Sequence, residues 1–279
     1  MSNQKLSWDL SGTREYSTGN KNAILFPMLT TRTTKTQYDH GVAWNGITGV
    51  TETPGGAEAN DNFADDIKYV SIRGAETFSQ TIEAFMAPDE WAACDGQTTA
   101  GTGMFGQQNR KAFGFVFRST LGNDTQKNDY GFEIHISYNL TASPSERSYQ
   151  TINENPELIT YSWECTSDPV TDTKLAVAMA KPVSNIIVKC TTANGVLKVD
   201  DTPASPTYGQ VIFDESTADG KNVKRLWEVL SGTDDSGSGG SAVSGTYPTL
   251  PDPGVVHEIL TDVLATTKTV ADYAEVTGS

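Results

Sequence analysis

The chain has 279 residues and a formal net charge of −15, from 20 basic and 35 acidic side chains, and 37% of its residues are hydrophobic. A chain of this length can bury a real core as one large or two small domains. A surface that binds nucleic acid phosphates needs an excess of bases, which this chain lacks. Its many Thr, Ser, Asp, Asn and Gly residues favour short strands joined by turns over a helical bundle.

Neither a signal peptide nor a membrane span is predicted. The first residues contain no apolar core segment, and no stretch approaches the ~18 apolar residues of a membrane helix. Cys94, Cys165 and Cys190 are widely spaced and include no CxxC pair, which predicts buried, reduced thiols in a chain that folds in a cytoplasm. We expect no membrane partner.

The first third of the chain is polar, apart from a buried-strand candidate at residues 24–29. Residues 52–66, ETPGGAEANDNFADD, are predicted to form a long acidic loop. Two alternating segments follow in DDIKYVSIRGAETFSQTIEAFM, with a tight connection around Gly74, and we expect them to pair with each other as antiparallel strands.

The second of these strands has two unlike faces. One carries Phe78, Ile82, Ala84 and Met86, interrupted by Gln80, and predicts a core contact. The other carries only hydroxyls and one acid before Phe85, namely Thr77, Ser79, Thr81 and Glu83.

The clearest strands are KAFGFVFRS, with Phe113, Phe115 and Phe117 on one face, and DYGFEIHISY, which alternates in the same way. This period of two predicts half-buried antiparallel strands. Further strands are predicted in LITYSWEC, SNIIVKC, GVLKV and YGQVIFD. SNIIVKC and GVLKV flank Asn194-Gly195, which is a hairpin turn signal.

One segment has helical periodicity. Spacing of i, i+3, i+4 and i+7 predicts an amphipathic helix over about 220–231, with Gly232 as its C-cap. Its core anchors are Val223, Leu226, Trp227 and Leu230. Residues 1–231 are thus predicted to form one β domain with a flanking helix, 232–247 a flexible Gly/Ser linker, and 248–279 a C-terminal arm with a short helix.

No motif with established chemistry is predicted to act. GTGMFG fits the dinucleotide pattern G-x-G-x-x-G, but a strand rather than a helix follows it, so we expect a loop. His40, His135 and His257 lie far apart and have no Cys at metal-ligand spacing. The chain is therefore expected to have no catalytic residue, no cofactor and no metal site, and not to be an enzyme.

Several segments in order resemble the major tail tube protein of long-tailed (siphovirus-type) bacteriophages that infect Gram-positive hosts. The segments are GVAWNGITGVTETPGGAEAND (41–61), ADDIKYVSIRGAETFSQTIEAFMAPDEWAACDG (64–96), 106–124, 129–164 and, more loosely, VKRLWEVLSGTD (223–234) with 248–254. They cover most of residues 5–170 and resume at the predicted helix. The chain departs from the family pattern between about Pro182 and Gly220, and again after Gly254.

The resemblance implies an antiparallel β-sandwich or barrel of the phage tail tube type with one flanking α-helix, assembled as hexameric rings that stack into a hollow tube. Such a tube surrounds the tape measure protein, meets tail tip and tail terminator proteins, and conducts DNA without binding it specifically. Its place is the virion tail, after synthesis in the host bacterial cytoplasm. Neither catalysis nor a cofactor is implied.

In such a tube one strand face packs on the subunit core and the other faces the lumen. A lumen that conducts DNA should avoid bases, which bind phosphate, and aromatic rings, which stack on nucleobases. We therefore expect Thr77, Ser79, Thr81 and Glu83 to line it. We also expect inter-ring contacts from the acids of the 52–66 loop, which are Glu52, Glu58, Asp61, Asp65 and Asp66. Their partners would lie in the basic N-terminal region, which holds Lys5, Arg14, Lys21, Arg32 and Lys35.

Two other classes of function stay open from the sequence. A carbohydrate-binding or adhesin β-sandwich would display aromatic residues, which Trp8, Trp44 and Trp91 could supply. A β-rich glycosidase would need two carboxylates roughly 5–9 Å apart in a groove, and Glu83, Glu133 and Glu164 are the acids on predicted strand faces.

Overall fold

The computed structural model describes residues 10–30, 34–56, 59–149, 151, 158–171, 182–233 and 246–262. In these ranges the chain is mainly β, and all its strand pairs are antiparallel. The strands are β1 (Glu15–Pro27), β2 (Val42–Trp44), β3 (Ile47–Gly56), β4 (Asn60–Ala64), β5 (Ile67–Ile72), β6 (Glu76–Ala84), β7 (Thr98–Ala100), β8 (Gly103–Phe105), β9 (Phe113–Asn123), β10 (Lys127–Ala142), β11 (Tyr161–Ser167), β12 (Asn185–Thr191), β13 (Leu197–Val199) and β14 (Val211–Phe213). The helices are α1 (Trp91–Cys94), α2 (Ala218–Ser231) and α3 (Pro253–Thr261).

The largest sheet has eight strands and branches at β10. Its path runs β2-β1-β9-β10-β11-β6-β3, and β12 pairs with β10 beside this path. Residues 131–137 of β10 pair with β12, whereas residues 140–142 pair with β11. The register slips between these two parts, where Asn139 has a φ of 48°, and such an irregularity bends a strand. Beyond the bend, β11, β6 and β3 fold back over β1 and β9.

Two hydrophobic cores lie on opposite faces of β1, β9 and β10. The first packs this sheet against α2 and α3 and includes Val116 and Ile134. The second packs it against β6 and β11 and includes Phe115, Ile82 and Trp163. β9 is therefore buried on both faces, which corrects the expectation of a half-buried strand. Helices α2 and α3 cover the face of β9 that the alternating sequence pattern predicted to face solvent.

Three tryptophans anchor the second core. The rings of Trp44, Trp91 and Trp163 have centroids 4.7 to 5.6 Å apart in tilted and edge-to-face contacts, which aromatic quadrupoles favour. Trp44 donates its indole N–H to the carbonyl of Met86 at 2.8 Å. The cluster thereby fixes α1 against β2 and β11.

Strands β3 to β6 pair as two nested antiparallel pairs. β3 pairs with β6, and β4 continues the arm by pairing with β5. Two expectations were wrong: most of residues 52–66 are strand rather than loop, and IKYVSI pairs with β4 rather than with ETFSQTIEA. The tip consists of Asp65 and Asp66, whose positive φ angles of 51° and 62° suit a two-residue hairpin turn.

Helix α2 confirms the predicted helix. Its N-cap Thr217 accepts a hydrogen bond at its Oγ1 from the backbone N–H of Gly220 at 3.0 Å. α3 packs beside α2, and its Val256 and Ile259 lie in the first core. The described part of the predicted arm, residues 248–262, thus packs on the first core through Leu250, Val256 and Ile259. Residues 234–245 and 263–279 lie outside the described ranges.

Two segments differ from their predicted form. GTGMFG supplies strand β8, which pairs with β7, so it is part of a small hairpin rather than only a loop. SNIIVKC forms β12 in the largest sheet, while β13 and β14 pair with each other. The Asn194-Gly195 turn therefore joins two strands that pair elsewhere. None of the described helices could cross a membrane, since each is too short or too polar.

Candidate assembly surfaces

The outer side of β3, β6 and β11 is a continuous surface of small polar residues, here named the polar face. β6 lies between the other two strands, and the registers place its hydroxyls directly opposite theirs. Strand by strand, the polar face comprises Gly49, Thr51, Thr53 and Gly55; Thr77, Ser79, Thr81 and Glu83; and Ser162, Glu164 and Thr166. It carries two acids, no base and no aromatic ring.

The four residues predicted to line a lumen thus share one face in the structure. They are exposed or half-buried, while the alternate residues of β6 are buried. The sequence analysis missed the contributions of β3 and β11. Alternation of Ser162, Glu164 and Thr166 with buried neighbours could have revealed the latter, but the pairing of β11 with β6 could not be predicted locally.

The acids predicted for inter-ring contacts divide into different environments. Glu52 points inward, with its Oε1 3.1 Å from Nδ1 of His135. Asp61 pairs with Lys68 at 2.7 Å, and this hydrogen bond lowers the pKa of Asp61. Asp65 and Asp66 are exposed at the hairpin tip. Glu58 lies outside the described residues.

The bases predicted to contact these acids also fall into different environments. Lys35 pairs with Asp168 of its own chain, and Arg14 also has a partner. Lys21 is exposed and forms no ion pair with any residue that the structure describes. Lys5 and Arg32 lie outside the described ranges.

Beyond the sandwich, residues 60–72 form an arm, here named the hairpin arm. Every residue of β4 and β5 is exposed. Among them are large apolar side chains, including Phe63 at 70% exposure and Tyr69 at 74%. Exposed apolar side chains that lie close together are typical of protein contacts.

A Ser–His–acid chain bridges the two layers of the sandwich. Ser119 Oγ lies 3.0 Å from Nε2 of His135, and Glu52 approaches Nδ1 of the same ring, which stacks on Phe117 at 4.4 Å. Serine, histidine and acid are connected in the same sequence as in the catalytic triad of a hydrolase. Ser119, however, is 8% exposed in the middle of β9, which is paired on both sides. The backbone N–H groups around Ser119 belong to the hydrogen-bonded β-ladder and cannot form an oxyanion hole. We therefore interpret the Ser119–His135–Glu52 contacts as a structural link between β3 and β10.

The sequence analysis missed this link because Glu52 and His135 meet only when β3 folds over the sheet. A metal site does not emerge beside it: the described residues contain no group of three or more His, Cys, Asp or Glu side chains that could hold an ion.

The helix anchors are mostly buried. Val223, Leu226 and Leu230 lie in the first core, where Val229 joins them. Trp227 is only partly buried, and its ring lies 4.8 Å from Cζ of Arg118. The buried side of α2 is therefore rotated away from Trp227, compared with the side that the sequence predicted.

The two described tryptophans considered for a carbohydrate-binding surface are buried in the second core. Trp44 and Trp91 are each 2% exposed, and Trp8 lies outside the described ranges. Glu83 and Glu164 are diagonal neighbours on the open polar face, while Glu133 lies 3.8 Å from His135 Nε2.

No protein-family model matches this chain, and no curated protein is found to match it. Among solved structures, a chain of the six-fold symmetrised baseplate of the anti-feeding prophage is 8% identical, with 66% of this chain and 97% of that chain covered and a TM-score of 0.32. A chain of the PVC sheath-tube complex in the extended state, from an extracellular contractile injection system, is 10% identical, with 60% and 88% covered and a TM-score of 0.28. At these identities and TM-scores, the likeness assigns this chain neither a family nor a function.

Proposed function

We propose that this chain is the tube subunit of a phage-type tail, which self-assembles into hexameric rings that stack into a hollow conduit for DNA. The observation that carries the proposal is the polar face, which extends over three adjacent strands without a base or an aromatic ring. The order of segments that resemble tail tube proteins supports the same function.

The chemistry of the polar face suits a wall along which DNA slides. Basic residues would gain affinity for phosphate through counterion release, and aromatic residues would stack on exposed bases. Glu83 and Glu164 instead give two carboxylates per subunit, or 6 × 2 = 12 in a hexameric ring. Because the Debye length is about 8 Å at physiological salt, they repel DNA only close to the wall.

The sheet also offers a means of closing the ring. β3 is the last strand of the sheet path, and its outer edge has no partner strand in the described part of the chain. An unpaired edge invites another strand, and a closed barrel removes such edges. Pairing of this edge with the next subunit would extend the polar face around a common lumen.

In this assembly the tube surrounds a tape measure protein and ends at tail tip and tail terminator proteins. DNA passes through without specific binding, and no catalytic role is assigned. The subunit is made in the bacterial cytoplasm and resides in the virion tail.

The test is negative-stain electron microscopy of the concentrated protein, together with its mass in solution. Rings or hollow tubes with sixfold end views are expected. A subunit that stays monomeric at every concentration, even with tail tip components added, would contradict the proposal.

A further inference from the structure

A polar cavity of about 350 Å³ lies beside β9 and β10. Two cations line it, Lys21 and Arg118, together with polar groups that include Thr120, Asn128 and Gln210. Asp129 is the acid in this lining, and it forms no ion pair within 4.0 Å with either cation. The cavity thus has an excess of positive charge in a chain that is strongly acidic.

Arg118 is held in place without an anion. Its Cζ lies 3.5 Å from the centroid of the Phe132 ring and 4.8 Å from that of Trp227. Cation–π contacts of this kind use none of the five N–H donors of the guanidinium. No carboxylate of the described residues pairs with it, and desolvation by burial lowers its pKa. An oriented, half-buried guanidinium without an acceptor is suited to bind a carboxylate from outside the chain.

The hairpin arm carries carboxylates that match this cavity. Asp65 and Asp66 are adjacent, exposed and held at the tip by a two-residue turn. Neither forms an ion pair with a described residue, whereas Asp61 is already neutralised by Lys68. The tip carboxylates and the cavity cations thus have opposite charges, and neither has an ion-pair partner among the described residues.

We propose that the cavity formed around Lys21 and Arg118 receives the Asp65–Asp66 tip of a second copy of this chain. The inference rests on the proposed self-assembly and identifies one of its contacts. The tip is preferred to a nucleic acid phosphate because the proposed assembly brings a second copy, and with it exposed Asp65 and Asp66, into contact with the chain.

A charge-swap experiment in the full-length protein tests the contact. Asp65→Lys with Asp66→Lys, and separately Lys21→Glu with Arg118→Glu, should each reduce the assembled fraction at least about tenfold, because opposed charges become like charges. Combining all four substitutions should restore assembly. The matched control variant, Asp89→Lys with Glu90→Lys, reverses the charge of two adjacent exposed acids outside the hairpin tip. This variant should assemble normally.

The outcomes separate this contact from the proposed function. Failure of the unmodified protein to form rings or tubes refutes the function itself. Normal assembly by the Asp65→Lys, Asp66→Lys protein refutes the contact alone, as does a fourfold variant that stays unassembled although circular dichroism shows it folded. DNA binding by the unmodified subunit that is lost on Lys21→Glu with Arg118→Glu would assign the cavity to phosphate and also overturn the inference.

Discussion

Replacement of Leu226 by Ala should destabilise the subunit more than replacement of the larger Trp227. Leu226 is 0% exposed in the first core. Loss of three carbons at ~0.8 kcal/mol each, plus a cavity term of ~1 kcal/mol, gives about 3.5 kcal/mol. A fully buried Trp→Ala change costs about 3–5 kcal/mol, so a partly buried Trp227 should cost about 2 kcal/mol, including its contact with Arg118.

Thermal unfolding followed by circular dichroism, at concentrations where the subunit does not assemble, measures both effects. For a chain of this size the midpoint should fall by about 7–14 °C for Leu226→Ala and about 4–8 °C for Trp227→Ala. Lys221→Ala, at an exposed position of the same helix, is the control and should change stability by less than about 0.5 kcal/mol. A larger loss for Trp227→Ala than for Leu226→Ala would refute the orientation of α2.

Three further predictions concern thiols, acid stability and the polar face. Burial raises the pKa of Cys94 and Cys190 to about 12, so the native protein should not react with a thiol reagent at neutral pH, and a fast-reacting thiol would contradict the packing. Hydrogen bonds, first that of Ser205, lower the pKa of Asp200 from 3.8 to about 2. Its stabilising effect is therefore present above pH ~4 and lost as the pH falls towards 2, and Asp200→Asn should flatten acid unfolding in that window. Thr81→Lys should make assembled tubes retain duplex DNA at low salt, and Thr81→Ser should not; equal DNA retention by both variants would count against a lumen-facing wall.

Sequence patterns predicted the fold where one face of an element is apolar. β6 alternates Phe78, Gln80, Ile82 and Ala84 with hydroxyls, and both its strand form and its two faces follow from that alternation. α2 was found in the same way, although the pattern could not place Trp227 at the rim. Each of these predictions used only neighbouring residues.

The remaining features depend on contacts between distant parts of the chain. Strand β4 of the hairpin arm was missed, and β5 was paired with the wrong strand, because neither face of the arm is buried in the subunit and the signal of an apolar face is absent. The cavity around Lys21 and Arg118 requires β1, β9, β10 and residues 209–211 together, and the link between Glu52 and His135 requires β3 to fold over the sheet. The residues next to Lys21 and Glu52 in the sequence therefore do not indicate that these side chains meet Arg118 and His135.

The branch in β10 has a mechanical consequence. One continuous backbone carries both the strands that bear the polar face and, through β12, the layer covered by α2 and α3. A radial displacement of one layer must therefore strain hydrogen bonds along the other. In the proposed tube, the polar face and the layer of α2 and α3 would therefore move together rather than independently.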